Sequence, residues 1–514
     1  MDILAAMERG LLPREVPPLF TTLPLASAVN TLSNPLPTDP TTPVRYSIAR
    51  AGGTRRATEI PNPFSQFKIA QTCSDNWRAL QRITALSPIS LSRPVKSKNL
   101  GSYRSLSSVQ RRKDQSSEIV KRMPGGQVTL KTDVSQFYGS IYTHAVDWAI
   151  RGKSRAKANR RARHLGSDLD RYLRNSRDQQ TVGISIGPDT SWLISELILG
   201  QVDRSMSLHK AIGPWYSEHS YRLGDDMTVF AQSRDQADSI LGEYEVALSK
   251  FELSLNPSKV EIISGIEAPV KSWVTQIRQM RYRSDSESNL ISDLVDIFGT
   301  AFELSGLHPG EGVLSYTIKR CDPFPAGPLV WPVYRDFILA SITHDPSVMP
   351  HAYQVLSFAR DHKLPTQDDR VAEVLNNLAA GHARLNHGFE VSWALTILRA
   401  LKLPLEVETA NFVATMDDNC SLLLLGLENE SKKIGLTLDN MLSRAQSDGA
   451  LSSSDWLIAY ECRARRWCRP AKWDGIPAWK ELDTRGVRFL APSLNPPSRL
   501  RRRRPDFLPS WGNS

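Results

Sequence analysis

A chain of 514 residues, 40% hydrophobic and 23% charged, has the composition of an ordinary globular protein with room for two to four domains. Its net charge of +10 and pI near 9.3 favour a polyanionic partner, and its longest apolar run, Leu422 to Leu427, is far short of the ~20 residues that span a bilayer. Five scattered cysteines (Cys73, Cys321, Cys420, Cys462, Cys468) lack metal-ligand spacing, and the first residues lack a basic stretch followed by an apolar one, so reduced thiols and a soluble, cytoplasmic protein without membrane attachment are expected.

Residues 1–50 are rich in Pro, Thr and Ser and show neither helical nor strand periodicity, which predicts an extended arm laid over the rest. Arg55 and Arg56 precede an Ile60-Pro61 turn; they suit a phosphate-gripping pair and equally a solvated basic turn. Apolar residues from Phe67 to Ile83 predict one helix. After Pro124-Gly125-Gly126, the run Val128 to Val134 alternates like a strand, with Val128, Leu130 and Val134 toward a core and Lys131 and Asp133 on the other side. From Arg151 to Arg177 ten Lys or Arg residues form either a solvated helix face or a track for phosphates. Gly183 and Gly187 flank a loop that leads into an apolar helix from Trp192 to Val202, capped by Asp189 or Thr190.

Tyr221-Arg222-Leu223-Gly224-Asp225-Asp226, followed by Met227 to Ala231, reads as a β-hairpin whose tight turn carries two adjacent carboxylates. Such a turn is a surface feature in many proteins; joined by a third carboxylate, it becomes a perch for hard divalent cations. A helix over Ala237–Leu248 and the run Phe251 to Ile263 complete an α+β layout. Beyond residue 285 apolar residues recur at helical spacing without a strict repeat, which fits a stack of helical hairpins or an ordinary helical domain. Arg499 and Arg501 to Arg504 make a basic tail.

Asp133 at one strand end and Asp225-Asp226 at a hairpin are the acidic set that two-metal nucleotide addition requires. The chain here resembles reverse transcriptases: Asp133 with Phe137, Tyr138 and Ile141, the loop Gly183 to Pro188, Arg222 to Asp226, and Leu255-Asn256-Pro257-Ser258-Lys259-Val260-Glu261 all fit their motifs. More narrowly it resembles bacterial defence-associated, abortive-infection (unknown-group) reverse transcriptases. The carriers are Leu12 to Pro18, Arg56 through Ile60-Pro61-Asn62-Pro63 to Gln66, Asn76-Trp77, Ser90-Leu91-Ser92-Arg93-Pro94, Asp133 to His144, Phe389 to Leu395 and Ser454 to Glu461.

This resemblance implies an α+β fold, a right-hand fingers-palm polymerase core over residues 51–285. An all-α, helical-repeat-like domain follows over 286–498, with the arm (1–50) and the tail (499–514) at either end. It implies that Asp133, Asp225 and Asp226 are catalytic and that they, with Val134, hold two Mg²⁺ ions, Mn²⁺ being a substitute. Tyr138 would exclude ribonucleotides, and Gly187 would line the nucleotide path. Arg55 and Arg56 would meet the triphosphate, and Lys259 would neutralise charge near the leaving pyrophosphate. The implied partners are an RNA template or non-coding RNA, the DNA product, deoxynucleoside triphosphates and further copies of the chain. The implied role is DNA synthesis in antiphage defence, RNA-templated or template-independent and primed from protein in some members.

Leu223, Ser185 and Ile186 depart from residues common in the family, and no ribonuclease H or maturase signature is present. A viral-type RNA-directed RNA polymerase shares Gly-Asp-Asp but lacks an aromatic at Tyr138. A catalytically dispensable RNA-binding scaffold, whose helical half binds a phage or host protein, has no need of three acids.

Overall fold

A computed structural model describes all residues except 30, 99–103, 160–162, 284–285, 322–326, 367–368, 433–434, 437, 469–472, 474–475 and 492–514. The basic tail of the sequence reading therefore lies outside the described residues.

Three small sheets occupy the first half. Strands β1 (Val44–Ala49) and β2 (Arg55–Ile60) form an antiparallel hairpin, as do β3 (Pro94–Lys96) and β4 (Leu106–Ser108). The third sheet has four antiparallel strands in the order β6-β7-β5-β8, from β5 (Val128–Thr132), β6 (Ser220–Leu223), β7 (Asp226–Ala231) and β8 (Glu261–Ser264). Leu130 and Val134 are buried as the alternation predicts, but Val128 is only half-buried, and on the opposite side Thr129 and Asp133 are buried too while Lys131 pairs with Glu261 and Glu267. The Asp189–Ser207 and Arg234–Ser249 helices cover one face of this sheet and bury Leu193, Leu197, Ile240 and Tyr244. After Ser264 every named element among the described residues is helical, from Ser272–Gln279 to Pro477–Thr484.

The amino-terminal region is less extended than its composition predicts. It holds helices at Ile3–Arg9 and Leu23–Val29 as well as β1, and the first helix is capped by the Asp2 side chain. Helices of seven residues are too short to be stable alone, and these are held by packing against the Pro63–Asp75 and Pro477–Thr484 helices. The single helix expected over residues 67–84 is two, Pro63–Asp75 and Trp77–Thr84, broken at Asn76, whose side-chain amide donates to the Thr72 carbonyl.

Both halves share one continuous hydrophobic core. The helical half grips the β1–β2 hairpin: Tyr46 Oη meets Ser392 Oγ at 2.8 Å, Asn62 donates to the Leu451 carbonyl at 3.0 Å, and Trp456 Nε1 donates to the Ile60 carbonyl at 3.2 Å. The amino-terminal segment closes the seam, with Thr21 N–H donating to Phe489 and Ala491 N–H to Leu19. Phe64, Trp456, Trp479, Tyr460 and Phe489 stack across it.

Candidate active site

The hairpin turn between β6 and β7 is two residues long, because Leu223 pairs with Asp226 across it. Gly224 takes φ 69°, the positive value that its first position needs. Register then places the acids. Thr132 of β5 pairs with Met227 of β7, so the next residue on each strand, Asp133 and Asp226, meets at the sheet end.

Their carboxylates are within hydrogen-bonding reach. Burial, followed by the charges of Asp225 and Asp133, raises the Asp226 pKa to about 6, although its side chain still reaches solvent. Burial also raises Asp225, Asp133 adds to the effect, and Lys259 and Arg56 oppose it. The three acids do not form a cluster with all ligand atoms within 4.8 Å of one another, although Asp225 acts on Asp226 at least as strongly as Asp133 does. Two touching carboxylates and a third within electrostatic range repel one another, and hard anionic oxygens at high local charge density suit a hard divalent cation.

Lys259 is placed by its local sequence. Asn256 caps the Pro257–Lys259 turn and its N–H donates to the Asp133 carbonyl at 2.8 Å. Lys259 Nζ then donates to Asp133 Oδ2 at 2.6 Å. Val134 is buried in the core, so only its main-chain carbonyl is suited to a metal.

Tyr138 lies in the short Phe137–Ser140 helix just beyond Asp133. Burial pushes its pKa up to about 12 and Asp225 contributes; its hydroxyl lies 3.4 Å from Ser195 Oγ. The glycine loop docks here, Gly183 N–H donating to Ile141 O and Ile184 N–H to Tyr138 O. Gly187, at φ 138°, abuts the amino-terminal segment and β2. A Cβ there would fall 2.8 Å from Pro13 Cγ and 3.1 Å from the Glu59 carbonyl, so its bareness admits the amino-terminal segment and β2. Gly187→Ala should therefore cost about 1–3 kcal/mol of stability, read from urea unfolding. Nor is Asp189 the helix cap: Pro188 holds that place, and the buried Asp189 carboxylate accepts from Ser105 N, Ser105 Oγ and Leu106 N and pairs with Arg104.

The two arginines of β2 diverge, as successive strand residues must. Arg56 is exposed and acts on Asp225. Arg55 points to the helical half, where Nη1 and Nη2 hold Glu390 at 2.6 and 3.0 Å. The basic run over 151–177 is largely paired: Arg151 with Asp147, Lys153 with Glu252, Arg171 with Asp168, Arg174 with Asp170 and Arg177 with Glu59. That favours the solvated-face reading for its described residues.

A buried polar cluster beneath the turn escaped the sequence reading. Arg222, fully buried, donates from Nη1 and Nη2 to Glu196 at 3.0 Å each and from Nε to Asp203 at 2.9 Å. It also donates to the Gly224 carbonyl, while Gly224 N–H donates to Ser92 Oγ at 2.8 Å. Ser90 and Ser92 both donate to Glu196, and Tyr216 and Ser87 to Asp203. The phrase Ser90-Leu91-Ser92 lies alongside β6 through a parallel bridge to Arg222. It was the one sequence signal for this cluster.

Residues 60–286 match the family described as reverse transcriptase (RNA-dependent DNA polymerase). No curated protein matches the chain. Among solved structures, apo telomerase from Candida tropicalis aligns at 10% identity and a TM-score of 0.34, over 83% of this chain and 74% of that one. Telomerase from Candida albicans, in complex with a fragment of telomeric RNA, aligns at 10% identity and a TM-score of 0.29, over 76% of this chain and 63% of that one. Residues 60–286, with the acidic strand ends and the glycine loop inside them, are a domain of the reverse transcriptase family, that of RNA-directed DNA polymerases.

Proposed function

We propose that this chain adds deoxynucleotides to a DNA end at the head of the β6-β7-β5-β8 sheet, in antiphage defence. The observation that carries the chemistry is the contact of Asp133 with Asp226, with Asp225 beside them, inside the matched domain. Asp133, Asp225, Asp226 and the Val134 carbonyl would hold divalent metal, Mg²⁺ by the hardness of its donors. When bound, the metal supplies charge stabilisation for in-line phosphoryl transfer. Lys259, paired with Asp133, would offset charge beside the site, and exposed Arg56, whose charge acts on Asp225, would meet a triphosphate. Tyr138, half-buried with its hydroxyl 3.4 Å from Ser195 Oγ, would present its ring to the sugar. The positive net charge suits an RNA template or bound RNA and a DNA product.

The defence role rests on the motif resemblance, which runs from Leu12 to Glu461 and so includes the helical half. In that lineage synthesis is RNA-templated or template-independent, sometimes primed from a protein hydroxyl, by homo-oligomers in the cytoplasm. Among the described residues no helix is long and apolar enough to cross a membrane.

Purified protein given Mg²⁺ and each deoxynucleotide should yield DNA, whose sequence reports any template and whose protease sensitivity reports covalent priming. No product under any nucleotide mixture rejects the enzyme. In cells, phage protection should disappear with Asp225→Ala plus Asp226→Ala; protection that persists favours a scaffold whose helical half does the work. Tyr138→Ala should raise ribonucleotide incorporation relative to deoxynucleotide by about tenfold or more, whereas Tyr138→Phe keeps the ring and the discrimination, as measured by single-nucleotide kinetics.

A further inference from the structure

On the side of β2 away from Arg56, the helices Asp369–Ala383 and Gly388–Leu401 form a hairpin whose connection brings His382, His387 and Glu390 together. His382 Nδ1 and His387 Nδ1 are 3.0 Å apart, and they lie 3.8 and 3.9 Å from Glu390 Oε1. A point equidistant from the three atoms lies about 2.1 Å from each, the length of a zinc–nitrogen or zinc–carboxylate bond. We propose that His382, His387 and Glu390 bind a first-row transition metal, zinc by preference, at a site separate from the polymerase carboxylates.

The donor chemistry selects the metal. Two imidazoles and one carboxylate suit Zn²⁺, whereas Mg²⁺ takes all-oxygen sets.

The supporting shell is in place. The Glu390 side chain is 2% exposed, and Arg55 holds both of its oxygens, Nη1 donating to Oε1 at 2.6 Å and Nη2 to Oε2 at 3.0 Å, so Oε1 would have to serve Arg55 and the metal together. Arg55 is itself fixed by Nε donating to Ser47 Oγ at 2.7 Å and Nη2 to the Ser47 carbonyl at 2.9 Å. Ligands oriented through such partners are the general pattern of protein metal sites. The histidine side chains are 26% and 25% exposed, which leaves a way in from solvent and room for water as a fourth ligand.

The test uses the full chain, stripped with a chelator and titrated with ZnCl₂ alone. Elemental analysis should find about one zinc per chain, and zinc should raise the melting temperature. Both effects should be lost in His387→Gln and in His382→Ala. Co²⁺ added to wild-type protein should give the visible absorption of a four-coordinate nitrogen–oxygen site, which needs no variant to fold. Wild-type protein that takes up no zinc and gives no cobalt spectrum, or variants that retain full stoichiometry, would overturn the proposal and leave a hydrogen-bonded pair of neutral imidazoles.

Discussion

Asp226→Asn should abolish nucleotide addition while making the metal-free protein more stable. The loss should be roughly 10³-fold or more, equivalent to about 4 kcal/mol of transition-state stabilisation, because the amide removes a charged oxygen donor from the pair formed with Asp133. The gain follows from the raised pKa of Asp226. An acid that holds its proton more tightly in the folded state favours folding below its unfolded value near 4, and that contribution is lost as pH rises through about 6. At pH 7.5 the wild-type chain carries the full repulsion among Asp133, Asp225 and Asp226, and the asparagine relieves part of it. Thermal melts without Mg²⁺ should show the variant melting higher at pH 7.5, with the difference shrinking toward pH 4. A variant that still polymerises defeats the catalytic assignment; one that melts lower at pH 7.5 defeats the electrostatic account.

Arg222→Met should produce the largest stability loss of any substitution near the site. The methionine fills similar volume but leaves Glu196 and Asp203 buried without their cation, and breaking one member of a buried ion cluster costs about 3–5 kcal/mol. Arg222→Lys should recover only part of this, since an ammonium cannot reach Glu196 with two parallel bonds and Asp203 with a third. Activity should fall along with stability, because Arg222 also holds the Gly224 carbonyl and so fixes the turn that carries Asp225. Urea unfolding reads the first effect. Nucleotide addition, assayed at a temperature where the variant remains folded, reads the second. An Arg222→Met protein with wild-type stability would mean that the three charges are not jointly buried in solution.

How legible these features were depends on the range of the interaction that fixes them. Asp133, Asp225 and Asp226 could be read because strand alternation and a two-residue turn are local patterns, and register then decides who meets whom. Lys259 came from the resemblance of Asn256-Pro257-Ser258-Lys259 to a family motif, and no local pattern announced its ion pair with Asp133. Arg55 was not readable, since its partner Glu390 is 335 residues away and nothing near Arg55 distinguishes it from Arg56. The Arg222 cluster depends on Glu196 and Asp203 in a helix that reads as apolar, where two buried acids look like breaks in the pattern. The amino-terminal helices were hidden by their prolines and their length; their stability comes from the surfaces they cover.

The β1–β2 hairpin has its back fastened to the helical half by Tyr46, Arg55 and Ile60. The strand that carries Arg56 is therefore no light flap: moving its main chain means moving the helices that hold Tyr46, Arg55 and Ile60 as well, a whole lobe at once.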